Sequence, residues 1–191
     1  MIYFLLALAV IAVLIVGIYN SLVKLKNKAE QAWSDIDTQL KKRYDLVPNL
    51  VETVKGYAKH ESQTFENVVK ARSAAMGAQN FKEKAEAENM LTGALKSIFA
   101  LAENYPDLKA NQNFLELQKT LTDIENAIQP ARATYNDAVR ALNTKMEVFP
   151  NNLIAGPFGF KKREFFEIKE EERENPKVSF TEPPTSQIPP A

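Results

Sequence analysis

The side chains able to do chemistry are few. The chain has one histidine, His60, and no cysteine. Disulfides, thiolate-held zinc, iron–sulfur clusters and a cysteine nucleophile are excluded, and hydrolytic triads or histidine-rich metal centres find too few imidazoles. His60 with Glu61 forms an acid–base or metal pair on paper. A carboxylate di-metal bundle, however, needs Glu-x-x-His on two helices, and the residue three before His60 is Tyr57. A lone histidine in a helical run is ordinarily a surface or packing residue. The six glycines are scattered and form no GxxxxGK loop, so nucleotide hydrolysis is unsupported.

A second set of polar groups lies beside two prolines: Arg43, Asp45, Asn49 and Glu52 around Pro48, and Arg132, Tyr135 and Asn136 after Pro130. A proline inside a helix frees the carbonyl four residues earlier, and an Arg or Asn donor nearby can satisfy it. That structural role is the expectation. The functional alternative is a small polar pocket, although nothing in the set pairs a nucleophile with a base. Trp33 offers a large amphipathic surface for a partner, but its place on an apolar stripe favours core packing.

The elements that must position these residues begin with a membrane segment. Residues 1–23, MIYFLLALAVIAVLIVGIYNSLV, carry no charge; as a helix they reach about 33 Å, against a hydrocarbon core of about 30 Å. The small-x-small tripeptide lies inside the apolar run, which points to an uncleaved anchor rather than a signal peptide. Tyr3 and Tyr19 suit the two interfaces, and Lys24, Lys26 and Lys28 follow at once. The charge bias predicts a single-pass protein with its amino terminus outside and the following domain cytoplasmic. The three lysines are also placed to touch anionic lipid. Lys plus Arg and Asp plus Glu balance at 24 each, so no global field attracts nucleic acid.

From Leu22, apolar residues recur at Leu25, Ala29, Trp33, Ile36, Leu40, Tyr44, Val47, Val51, Val54 and Ala58 in a 4-4-3 order, an 11-residue helical repeat. The phase survives Pro48. A kinked continuation is favoured over a new helix capped near Asp45. The stretch after His60 stays helical, with Phe65, Val68, Val69 and Met76 on one side, up to a turn at 77–80. A further helix is expected from Phe81 to Tyr105. From about Lys109 a heptad places Phe114, Leu121, Ile128, Tyr135, Leu142 and Phe149 at one position and Leu117, Ile124, Ala131 and Ala138 at the other. The fold class is therefore all-α: a transmembrane helix followed by an antiparallel four-helix bundle, the first two helices becoming one kinked helix under the favoured continuation through Pro48. The expected divisions are 1–23 anchor, 24–149 bundle, 150–180 an apolar, aromatic-rich extension docked back on it, and 181–191 a disordered tail. Lys161, Lys162 and Arg163, interleaved with Phe158, Phe160, Phe165 and Phe166, offer a membrane-surface or partner contact. Docking of the rings on the bundle is favoured over it.

The runs YNSLVKLKNKAEQAWSDIDTQLKKRYDLVPNLVETVKGYAKHE, NYPDLKAN, ARATYNDAVRALN and FPNNLIAGPFGFKKREFFE resemble, in order and over nearly the whole chain, the LemA family of small bacterial membrane proteins. The resemblance implies a single spanning helix, a four-helix antiparallel bundle and no established enzymatic activity, and hence no catalytic residues and no cofactor. Genes of the family are often found near those of membrane proteases and other envelope proteins, which suggests such partners, and one relative belongs to magnetosome membranes. The expected function is a non-enzymatic, membrane-anchored scaffold or adaptor. Its partners are the bilayer and other membrane proteins, and self-association through the heptad helix is a further expectation. The alternatives are an oligomeric membrane-remodelling protein and a carboxylate-only enzyme holding a divalent metal.

Overall fold

The structure is a computed structural model and describes residues 1–166. The expected end of the docked extension at 180 and the tail at 181–191 lie outside the described residues. Among those described there are six helices and no strand: α1 (Ile2–Lys55), α2 (Ser62–Gly77), α3 (Phe81–Ala102), α4 (Pro106–Lys109), α5 (Gln112–Glu147) and α6 (Asn152–Ala155). The four long helices run up, down, up and down. α1 lies antiparallel along α5, and α2 antiparallel along α3.

α1 has 54 residues, about 80 Å of helix. Its first part is apolar and exposed on every side; its second part buries Ala29, Ala32, Ile36, Leu40, Tyr44, Val47, Leu50, Val51 and Val54 in the core. The helix passes through Pro48 without a break, so continuation is the correct reading there. The reason is a tertiary contact. Pro48 cannot bond the Tyr44 carbonyl, and Arg72 Nε on α2 donates to that oxygen at 2.8 Å.

The corner comes later than the proline. Residues 56–61 form turns that bury Ala58 and leave Tyr57, Lys59 and His60 in water. The periodic stripe hid this break because Ala58 and Phe65 preserve the helical phase across it, while Gly56 supplies the weak point. On α2 the buried residues are Phe65, Val68, Ala71 and Ala75; Val69 and Met76, expected on that face, are exposed. They sit one position off the stripe, and small alanines occupy the contact with α3.

α3 starts at a capping arrangement: the Asn80 side chain accepts from the Glu83 amide at 2.8 Å, and Glu83 accepts from the Gln79 amide at 3.1 Å. It ends at Ala102 rather than Tyr105, because a turn at 103–105 precedes Pro106, which opens α4. α5 buries Phe114, Leu121, Ile128, Tyr135 and Leu142 in heptad order, with Ile124 and Ala138 from the second row. Phe149 breaks the row. Val148 turns extended before the Phe149–Pro150 pair, the helix stops at Glu147, and the Phe149 ring is exposed.

Residues 160–166 run extended beside α5. Asn143 Nδ2 donates to the Arg163 carbonyl at 2.9 Å and its Oδ1 accepts from the Arg163 amide at 3.0 Å; Asn136 does the same with Phe166 at 3.2 and 2.9 Å. The two asparagines are two helical turns apart, roughly 10 Å along α5, which matches three residues of extended chain. This register seats Phe166 in the core against Trp33, and the Tyr135 hydroxyl donates to the Glu164 carbonyl at 3.0 Å.

Candidate functional site: a buried polar layer in the bundle

The most unusual chemistry lies inside the bundle, one turn before Pro48. Arg43 and Glu88 are each 3% exposed. Arg43 reaches three groups: Glu88 at 3.3 Å, the Thr92 hydroxyl at 2.5 Å and the Glu125 carboxylate at 3.2 Å. It thereby ties α1 to α3 and α5. The neighbouring Tyr44 hydroxyl donates to the other oxygen of Glu88. Lys84 stands over the Tyr44 ring, 5.8 Å from its centre, and bonds Asp37 at 3.6 Å. Arg132, nearly buried, lies 4.6 Å from the centre of the Phe166 ring. A cavity of about 550 Å³ lies at this end of the layer, and its walls include Leu40, Arg43, Glu88, Glu125 and Arg132.

Burial pushes the Glu88 carboxyl above the usual carboxylate range, against the opposing pull of the Tyr44 hydroxyl and the Arg43 charge. Burial, reinforced by Glu88, also raises the Tyr44 hydroxyl, which stays protonated. Arg43 stays charged. The layer therefore holds a fixed cation, a fixed hydroxyl and one carboxyl shared between them. No group of three or more histidine or carboxylate side chains placed to hold a metal ion occurs among the described residues. What the arrangement does chemically is fix the mutual register of three helices.

The residues singled out from sequence separate in space. Arg43 joins the layer, and Arg132 lines the same cavity. Asn136 holds the extended segment. Asp45, Asn49 and Glu52 face water. Neither Arg43 nor Asn49 satisfies the carbonyl freed by Pro48; that donor is Arg72, which sequence proximity to a proline did not reveal. Trp33 is half-buried among Phe81, Tyr135 and Phe166, at ring distances of 4.5, 5.5 and 5.3 Å. His60 is exposed at the far corner, and Lys24, Lys26 and Lys28 are exposed just beyond the apolar stretch. Glu88 and Glu125 were missed. The available signal was position: Glu88 lies on the apolar stripe between Ala85 and Leu91, as Arg43 lies between Leu40 and Val47.

With this geometry in view, comparison with known proteins is decisive at the family level. The LemA family model matches residues 32–180. The chain belongs to the LemA family. Among its relatives, protein LemA of Metamycoplasma hominis is 26% identical over 175 residues, covering 90% of this chain and 78% of that one. Magnetosome protein MamQ 2 of Paramagnetospirillum magneticum is 25% identical over 177 residues, covering 79% of this chain and 65% of its own. Magnetosome protein MamQ of Magnetospirillum gryphiswaldense is 24% identical over the same length. The expected family is thus the observed one, and the names of these relatives state no reaction.

Proposed function

We propose that this LemA-family protein is a non-enzymatic scaffold held at a bilayer by α1, spanning through residues 1–23, with the bundle on the cytoplasmic side. One observation carries the reading: residues 2–17 of the apolar stretch include no residue buried by the rest of the molecule, yet they run without a break into the part of α1 that packs in the bundle. Soluble cores do not leave such a run bare. Lys24, Lys26 and Lys28 at its inner end support the orientation. Tethering confines the bundle to a surface, which raises its effective concentration toward other membrane-bound proteins. The buried polar layer supports the same reading, since its ion pairs and hydrogen bonds join α1, α3 and α5 to one another.

Photo-crosslinkers at the exposed Val69 and Met90 positions in native membranes test it. The scaffold reading expects a discrete set of membrane-integrated proteins to be captured, and to be lost when residues 1–23 are replaced by a soluble leader. An unchanged set would contradict it. A second reading, self-assembly that shapes the bilayer, draws on the likeness to the magnetosome proteins and on the exposed apolar side chains Val69, Met76 and Met90. Tubulation of vesicles by the full chain, absent without α1's apolar part, would favour it.

A further inference from the structure

At the end of α5 nearest the apolar stretch, residues 148–160, VFPNNLIAGPFGF, contain no charged side chain, although Glu147 precedes them and Lys161, Lys162 and Arg163 follow. The segment is firmly held. Leu22 of α1, Leu142 of α5 and Ala155 of α6 form a small separate core, with Ile18, Leu25, Met146 and Phe160 packed on it. The Tyr19 ring meets Phe158 at 5.4 Å and Phe160 at 5.7 Å. These contacts fix the height of the segment along α1 at residues 18–25, where the apolar run gives way to lysines.

Held at that height, the segment turns large apolar groups outward: Phe149 is 78% exposed, Leu153 64% and Phe158 54%. Isolated exposed apolar side chains are ordinary, but here they cluster on one uncharged collar continuous with the exposed face of α1. Beside them a cleft of about 460 Å³ is lined by Tyr19, Val23, Lys26, Lys161, Lys162 and Arg163. Its lining combines apolar and aromatic side chains with four cations. Glu147 bonds Lys162, and Glu30 bonds Arg163 at 2.6 Å and Lys26 at 3.9 Å, so four cations face two carboxylates.

We propose that residues 148–163 are a second lipid-contacting element: the collar enters the interface of the leaflet adjoining the bundle, and the cleft takes the headgroup phosphate of an anionic phospholipid. Aromatic and aliphatic side chains next to lysines are the composition that interfacial segments use, and a surplus of cations at the leaflet surface favours anionic lipid. The collar sets the tilt of the bundle on the bilayer, because it adds a second fixed point beside the spanning helix. The proposal rests on the spanning reading of α1.

The test uses the full chain in phospholipid vesicles. Single cysteines, in a chain that has none, carry an environment-sensitive fluorophore at Val10→Cys, Val16→Cys, Leu153→Cys, Phe158→Cys and Gln79→Cys, and nitroxide lipids act as quenchers. The labels at 153 and 158 are expected to be quenched by shallow nitroxides as strongly as the label at 16, the label at 79 not at all, and the label at 10 most strongly by deep nitroxides. Nitroxide phosphatidylglycerol is expected to quench position 158 more than nitroxide phosphatidylcholine, and Lys161→Gln with Lys162→Gln is expected to erase that preference. If position 10 is quenched while 153 and 158 stay in water, the collar proposal fails and the anchor stands. If position 10 is also unquenched, both fail. A concentration-dependent spectral shift at 153 without lipid quenching would assign the face to a second copy of the chain and overturn the proposal.

Discussion

Arg43 and Glu88 put opposite charges in the interior of the bundle, each 3% exposed, and the arrangement predicts a specific pattern of losses. Removing one partner leaves the other buried and poorly compensated, so Glu88→Ala should destabilise the full chain in detergent by about 3–5 kcal/mol. Replacing the pair by apolar groups, Arg43→Met with Glu88→Leu, should recover most of that loss. Equal losses in the single and double variants, measured by chemical denaturation, would show that the pair is not the unit described. The pH dependence has a definite sign. Burial lifts the Glu88 carboxyl above its unfolded value, so the folded chain holds that proton more tightly. The stability this adds is complete below the ordinary carboxylate range and is lost as pH rises toward the raised value. Glu88→Gln, which keeps an acceptor for Tyr44 and cannot ionise, should flatten that part of the denaturation-midpoint profile; an unchanged slope would contradict the assignment.

The long helices show how a local defect is repaired from a distance. Because Arg72 serves the Tyr44 carbonyl that Pro48 leaves bare, Arg72→Met should cost about 1–3 kcal/mol. The same change should cost much less in a Pro48→Ala chain, where the residue 48 amide returns to the carbonyl. A double-mutant cycle with no coupling would remove that explanation. The extended segment makes a parallel case: Asn136→Ala or Asn143→Ala should speed amide exchange at Phe166 or Arg163, respectively, while leaving the α5 core protected, and unaltered exchange would mean that the asparagines are not its clamps.

Much of this was legible in the sequence. The heptad of α5 and the stripe of α1 are local periodicities, and both appear nearly residue for residue. The corner at 56–61 was not legible, since Ala58 and Phe65 keep the helical phase through it. The donor on α2 was also hidden, because it is set by how two helices meet. The polar layer was half visible: Arg43 and Arg132 were noticed for their proline neighbours, although the better clue was a charge standing on an apolar stripe, which Glu88 shares.

At the scale of the whole molecule, α1 and α5 form the long axis, and α2 with α3 thicken only the part farther from the apolar end. The narrow end, where α6 packs beside Tyr19 and Leu22, is the place where a bilayer would begin. Such a shape has a use only if residues 1–23 remain attached and cross the membrane. Single cysteines at Ile2→Cys and Gln79→Cys, treated in intact cells with an impermeant thiol reagent, test this most directly. The account predicts reaction at position 2 at once and at position 79 only after permeabilisation. Reaction of both in intact cells, or recovery of a soluble chain lacking residue 2, would contradict it.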